Sequence, residues 1–279
     1  MIPLKEDQPA RHTARTKVMG VMNATPDSFY EPSRFSSEPS AREIALKMVD
    51  DGADIIDIGG ESSRPGAEPV SLEEELARIV PLIEAVEGLK CQLSIDTYHA
   101  ETAKRAIELG ATMVNDITAL RGDADMAEAV ADGNVDCVLM HMQGMPQTMQ
   151  HEPIYEDIVD DIRLFFEARV EYAISKGISE DRIWLDPGFG FGKTVEHNLN
   201  LLRRLSEFRD LGFPILVGTS NKSMIGAVLD AEISDRLEGT AATVSVAICQ
   251  GADGVRVHDV GAMSKVARMT DAIVRKELF

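Results

Sequence analysis

The chain of 279 residues carries 28 basic against 47 acidic side chains, a formal net charge of −19, which argues against nucleic acid or an anionic membrane surface as its main partner. With 44% apolar and 27% charged residues it has the make-up of a globular protein, and a disordered or fibrous chain is excluded. Three cysteines, none in a CxxC, are too few for a disulfide framework and point to the reducing cytoplasm, and no run of eighteen apolar residues offers a membrane span.

Residues 1–17, MIPLKEDQPARHTARTK, lack the apolar centre of a secretory signal and carry Glu6 and Asp7, so a flexible arm is expected there. From residue 18 onward, short apolar runs alternate with helical periodicity. The run 18–22 precedes a helical pattern at 40–51, 54–58 precedes 72–86, 92–95 precedes 100–109, and 112–114 precedes 125–132. In the second half, 136–140 precedes 156–176, 182–185 precedes 195–210, 214–217 precedes 235–250, and 254–257 precedes 262–276. Most of the runs are continuous in Val, Ile, Leu and Met, as parallel strands covered on both faces require.

Helix boundaries carry their own signals. Ser71 precedes LEEE with Glu74 as a capping-box partner, and Gly110 and Gly177 follow helical runs. GADIIDI (52–58), GATMVNDI (110–117) and GADGVRV (251–257) each place a strand directly after a helix-ending glycine, the short connection of a repeated β/α unit. The pattern predicts an α/β chain whose residues 18–279 form a single (β/α)8 TIM barrel; an open doubly wound sheet is the alternative.

A barrel of this kind builds its site at the C-terminal ends of the strands. There the sequence places Asn23, Thr25 and Asp27; Asp57 and GGESSRPG; Asp96 and Thr97; Asn115 and Asp116; His141 to Gln143; Asp186 to Gly188; Gly218 to Ser223; and Arg256 with His258 and Asp259. Any one of these suits a helix cap or an Asx-turn. Together, Asp96, Asn115 and Asp186 can converge on a flat heterocycle rich in donors and acceptors, the alternative being a water-filled polar rim. Arg256 and His258, two residues apart on one strand face, join Lys222 where such barrels bind phosphate; an ion pair of Arg256 with Asp253 or Asp259 is the competing reading.

Other motifs are weaker. The GKT of DPGFGFGKT (186–194) lacks P-loop spacing, and its glycines instead suit close approach to a ligand that Phe189 or Phe191 covers. No GxSxG elbow supports a nucleophilic serine, the six histidines show no metal-ligand spacing, and Cys91, Cys137 and Cys249 read as small core residues.

Eight segments, VMGVMNATPDSF, GADIIDIGGESSRPGA, LSIDTYHAETA, MVNDITAL, MHMQGMPQTMQ, LDPGFGFGKTVEHNLNLL, PILVGTSNKSMIG and DGVRVHDV, resemble in order and spacing the motifs of the dihydropteroate synthase family, over about residues 18–275. The resemblance implies condensation of 6-hydroxymethyl-7,8-dihydropterin diphosphate with 4-aminobenzoate to 7,8-dihydropteroate, with Mg2+ as cofactor, release of diphosphate and a homodimer formed through the last helices. It implies pterin contacts at Asp96, Asn115, Asp186, Lys222 and Arg256, and diphosphate contacts at Asn23, Ser63, Arg64, Arg256 and His258. Aminobenzoate contacts follow at Phe29, Pro65, Phe191, Ser220 and Lys222, a metal contact at Asn23, and direct roles in the chemistry for Asp96, Lys222 and Asn23.

The chain departs from the family pattern at Asn221, where arginine is usual; at Ser63, usually threonine; at Glu31, usually aspartate; and at Pro32-Ser33, usually glycine-rich. Asn221 removes a charge beside the aminobenzoate pocket. Two other functions compete. A pterin-binding methyltransferase resembles the chain in barrel and pterin contacts but has no use for a diphosphate clamp, and a non-catalytic pterin-binding protein is the second.

Overall fold

A computed structural model describes residues 15–24, 40–61, 70–144, 149 and 153–275. Its strands are β1 (Lys17–Asn23), β2 (Ile55–Gly59), β3 (Gln92–Asp96), β4 (Met113–Asp116), β5 (Asp136–Met140), β6 (Ile183–Asp186), β7 (Leu216–Val217) and β8 (Gly254–Val257). They pair in parallel in the order β6-β5-β4-β3-β2-β1-β8-β7. A parallel bridge between Leu185 and Ile215, with the Leu185 N–H donating to the Pro214 carbonyl at 2.9 Å, joins β6 to β7 and closes the ring. The alternation is therefore a (β/α)8 barrel rather than an open sheet.

Nine α-helices lie among the described residues: α1 (Ala41–Asp50), α2 (Leu72–Val86), α3 (Ala100–Glu108), α4 (Met126–Gly133), α5 (Ile158–Ser175), α6 (Val195–Arg203), α7 (Ser223–Leu229), α8 (Leu237–Cys249) and α9 (Val260–Val274). None is long and apolar enough to cross a membrane.

Several local expectations are corrected. The helical pattern at 195–210 splits, because α6 ends at Arg203 and Leu205–Leu211 winds as a 3-10 helix that buries both Leu205 and Phe208, spaced by its three-residue turn. The sequence reading misses α7, which has seven residues and a central Gly226, too short for periodicity to register. The strand expected at 214–217 shortens to Leu216–Val217: Pro214 has no N–H, and that of Ile215 goes to the Asp253 carboxylate at 2.9 Å.

The box at Ser71 is half formed. Its hydroxyl accepts from the Glu74 N–H at 3.3 Å, but the Glu74 carboxylate turns to Arg78. Of the cysteines, Cys137 is buried and Cys91 partly so, whereas Cys249 ends α8 in an exposed position and is no core residue. Ordered structure begins before residue 18: Lys17 belongs to β1, and the N–H and hydroxyl of Thr16 both donate to Asp271 of α9 at 2.8 Å.

Side chains alternate along each strand. Met19, Ile55, Met113, Val138 and Leu216 pack with Trp184 inside the barrel. Ile56, Ile58, Ile95, Val114, Cys137 and Leu139 join the larger core shared with the helices. Two faces are thus covered, which is why the strands read as continuously apolar. Two residues beyond Ile55, Met113, Trp184 and Gly254, on the same inward faces, stand Asp57, Asn115, Asp186 and Arg256. Register carries this polar layer around the barrel by pairing Gly59 with Asp96 and Asp96 with Asn115.

Candidate active site

The strands' C-terminal ends surround a cavity of about 630 Å³. Asn23 of β1, Asp96 of β3, Asn115 of β4, Asp186 of β6 and Arg256 of β8 line it. So do Phe191 after β6, Ser220 and Lys222 after β7, and His258 after β8. Nine candidates drawn from the sequence therefore meet in one space. Phe29, Ser63, Arg64 and Pro65 lie outside the described residues, as do the departures at Glu31, Pro32 and Ser33.

Arg256 organises the floor. Its Nε donates to Asp57 Oδ2 and its Nη2 to Asp96 Oδ2, each at 2.7 Å. The alternative partners are engaged elsewhere: Asp253 accepts from the Ile215 N–H, and Asp259 caps α9 by accepting from the Ala262 N–H at 2.9 Å. Asp57 is wholly buried, and its Oδ2 also accepts from Asn115 Nδ2 at 3.0 Å, so one carboxylate orients both the guanidinium and the amide. The sequence-derived site omits Asp57. The available signal was a carboxylate at an inward position of an otherwise apolar strand, a placement that burial tolerates only with a partner.

Asn115 Oδ1 and Asp57 Oδ1 are buried and accept no hydrogen bond among the described residues. Asn115 lines the cavity, and an amide with an acceptor left over suits a ligand N–H.

Electrostatics set the site's character. Burial, opposed by Arg256 and reinforced by Asp57, pushes Asp96 up to about 7. Burial also raises Asp186, against the Gly188 N–H that donates to it at 2.7 Å and the nearby charges of Lys222 and Arg256. Burial works against the charge on Arg256, yet Asp57 and Asp96 outweigh it and hold the guanidinium firmly protonated. A cation fixed among acids, with amide and carboxyl groups around it, offers donors and acceptors in several directions to one planar polar ring.

The outer part of the cavity is built by loops. Lys222 Nζ lies 4.3 Å from the Phe191 ring centroid, a cation facing an aromatic surface. Ser220 Oγ accepts from the His258 N–H at 3.2 Å and lies 2.9 Å from His258 Nδ1, tying the β7 loop to the β8 loop. Asn221 lines the same wall with φ +58°, a left-handed conformation that asparagine adopts more readily than most residues. Its N–H donates to Thr240 Oγ1 at 3.2 Å and its carbonyl accepts from Arg236 at 2.9 Å. Phe189 packs into the outer core, while Phe191 joins Ile117, Met140, Met142 and Met149 beside the cavity.

The donor set also suits a hard divalent cation brought in with a phosphorylated ligand. A Cβ on Gly59 would stand 3.0 Å from Asn23 Oδ1 and 3.5 Å from Asp96 Cβ, so the glycine leaves a small cradle under an amide oxygen. Among the described residues no group of three or more His, Cys, Asp or Glu side chains gathers to hold a metal by itself. Mg2+ characteristically takes few protein ligands and completes its shell with phosphate oxygens and water, which fits this arrangement.

Comparison with known proteins follows the same lines. A family model described as pterin binding enzyme matches residues 19–258. The dihydropteroate synthase of Synechocystis is 49% identical over 263 residues, covering 94% of this chain and 91% of its own. The Yersinia pestis dihydropteroate synthase, crystallised with a sulfonamide drug complex, superposes with a TM-score of 0.87 at 41% identity over 95% of this chain and 98% of that one. The Clostridium difficile dihydropteroate synthase, solved in the presence of pteroic acid, superposes with a TM-score of 0.86 at 46% identity over 95% and 99%.

Proposed function

The chain belongs to the pterin-binding enzymes and, within them, to the dihydropteroate synthases, and from that premise we propose how its barrel mouth carries the reaction. The enzyme is a transferase of folate biosynthesis: it joins 4-aminobenzoate to 6-hydroxymethyl-7,8-dihydropterin diphosphate and releases 7,8-dihydropteroate and diphosphate. The observation that supports the proposed roles best is the meeting of Asp96, Asn115, Asp186 and Arg256 in one cavity beside Lys222 and His258.

In this reading the pterin lies among Asp96, Asn115, Asp186 and Lys222, its ring against the Arg256 guanidinium. Asp57 keeps Arg256 and Asn115 in place through its two hydrogen bonds. Arg256 and His258 meet the diphosphate together with Asn23, Ser63 and Arg64. The bond between the pterin methylene and the diphosphate oxygen breaks first, the electron pair leaving with diphosphate, and the Asp96 carboxylate faces the resulting cation. The amine of 4-aminobenzoate, held near Phe29, Pro65, Phe191, Ser220 and Lys222, then attacks the methylene and loses its proton to solvent. No protein nucleophile enters. Asn23 would hold Mg2+, whose chemistry is to neutralise charge on the leaving diphosphate.

The barrel, from Lys17 of β1 onward, is proposed to act as one catalytic unit in the cytoplasm, where three free cysteines are at home. A homodimer is proposed through α7 to α9, supported by the exposed apolar side chains Val228, Leu229, Ile233, Val246, Met269 and Ile273. Changing Met269 and Ile273 together to Glu is expected to halve the mass read by light scattering; a particle of unchanged mass would place the interface elsewhere.

The deciding assay follows diphosphate release by the purified protein. Release is expected only with pterin diphosphate, 4-aminobenzoate and Mg2+ all present, and to stop when the metal is chelated. Binding of the pterin diphosphate with no release on adding the amine would identify a binding protein, and methyl transfer to a reduced folate would identify the methyltransferase.

A further inference from the structure

The GKT motif that fails as a P-loop has a different use. The backbone after β5 and the loop after β6 are seated on each other without side chains between them. A Cβ on Gly188 would lie 2.0 Å from the His141 carbonyl oxygen, and one on Gly192 would lie 2.4 Å from that of Gln143. Both glycines also have positive φ, +68° and +62°, so the seam admits no larger residue at either place.

Lys193 turns into this seam and is 3% exposed. Its Nζ lies 2.8 Å from the Gly188 carbonyl oxygen, 3.0 Å from that of Phe191 and 3.0 Å from His141 Nδ1, with the His141 carbonyl at 3.4 Å. An ammonium has three N–H donors, and two carbonyls and one imidazole lone pair take them. His141 is thereby neutral, with its proton on Nε2, and burial together with the Lys193 charge drives its pKa down to about 2. Burial lowers Lys193 itself to about 7, against the attraction of Asp186. Loss of one proton leaves the seam joined, since the amine then accepts from Nδ1–H of the other tautomer. The Phe165 ring meets the imidazole edge-on at 4.9 Å, and the Tyr155 hydroxyl donates to the Gly192 carbonyl at 2.7 Å.

The segment so held carries two groups of the site. At one end the Gly188 N–H donates to Asp186; at the other the Phe191 ring faces Lys222. We infer that Lys193, with neutral His141 as its acceptor, is a positioning residue that pins both ends of the Gly188–Phe191 turn to the β5 loop and so sets where the Phe191 ring stands. The inference rests on the functional reading above, in which Phe191 borders 4-aminobenzoate. Lys193 itself touches no substrate.

Lys193→Met tests it by splitting the two substrates. The KM for 4-aminobenzoate is expected to rise about tenfold or more, as a displaced binding group would cause, while calorimetric binding of the pterin diphosphate, most of whose contacts stand on strands, changes far less. Hydrogen exchange of the 188–192 amides is expected to accelerate about tenfold with β5 and β6 unaffected. An unchanged aminobenzoate KM, or equal losses for both substrates, would overturn the inference. Should Lys193→Met not fold, His141→Leu decides in its place, because it keeps the ammonium and removes one acceptor: the same split supports the inference, and a wild-type KM overturns it. Wild-type protein that forms no dihydropteroate would sink the functional reading instead, leaving the exchange comparison to judge the clamp.

Discussion

Asp96→Asn is expected to lower kcat by about a hundredfold to a thousandfold while the protein still folds and still binds pterin diphosphate, the size of loss seen when one preorganised electrostatic group is removed. The amide keeps the shape and one acceptor oxygen, so Arg256 retains its bond to Asp57 and a weaker one to residue 96. What disappears is the negative charge facing the cation left when diphosphate departs. Single-turnover measurement of product formation isolates that step, and unchanged turnover would remove Asp96 from the mechanism.

A pH profile gives the same test a second reading. Burial holds Asp96 near 7, so kcat/KM for the pterin diphosphate is expected to fall as pH drops through that value, a limb the Asn variant lacks. Stability moves the opposite way. The folded state holds the Asp96 proton more tightly than the unfolded chain, whose value is about 3.9, so this group's contribution is fully present below that pH and is lost as pH rises through about 7. Urea titrations should therefore show a shallower decline for Asp96→Asn than for the wild type between those limits.

Arg256→Ala is expected to weaken pterin diphosphate binding about a hundredfold or more by calorimetry, the largest loss of any single binding residue, because truncating one partner of a buried pair leaves the others uncompensated. Two carboxylates would lose their shared cation, one of them, Asp57, without any solvent exposure. A fall in melting temperature is expected alongside. Arg256→Lys separates the effects: it restores the charge but cannot reach two carboxylates with a planar fork, so stability should recover further than affinity. Equal affinity in the wild type and Arg256→Ala would refute the clamp.

What a sequence makes legible depends on the range of the forces involved. Strand and helix positions depend on period-two and period-3.6 patterning and on local caps, all contained within short stretches, and eight alternations suffice to call the barrel. Where a local pattern was short or interrupted it failed, as at α7 with Gly226 and at β7 with Pro214. The polar residues at strand ends could be listed because a barrel points every such end at one mouth.

Pairing was another matter. Arg256 meets Asp57 across 199 residues and Asp96 across 160, while the acids adjacent in sequence, Asp253 and Asp259, serve a backbone N–H and a helix cap. Lys193 likewise stands in a GKT without P-loop spacing, and nothing in its neighbours in sequence shows that it turns inward to bond His141, Gly188 and Phe191. The eightfold repeat, the polar ring and the chemical kinds present in it are written in local order and can be read from the residues alone. Which charges neutralise one another and which side chains turn inward depends on closing the ring, because closure sets the register that brings distant strands together, and burial makes an unpaired charge too costly to keep.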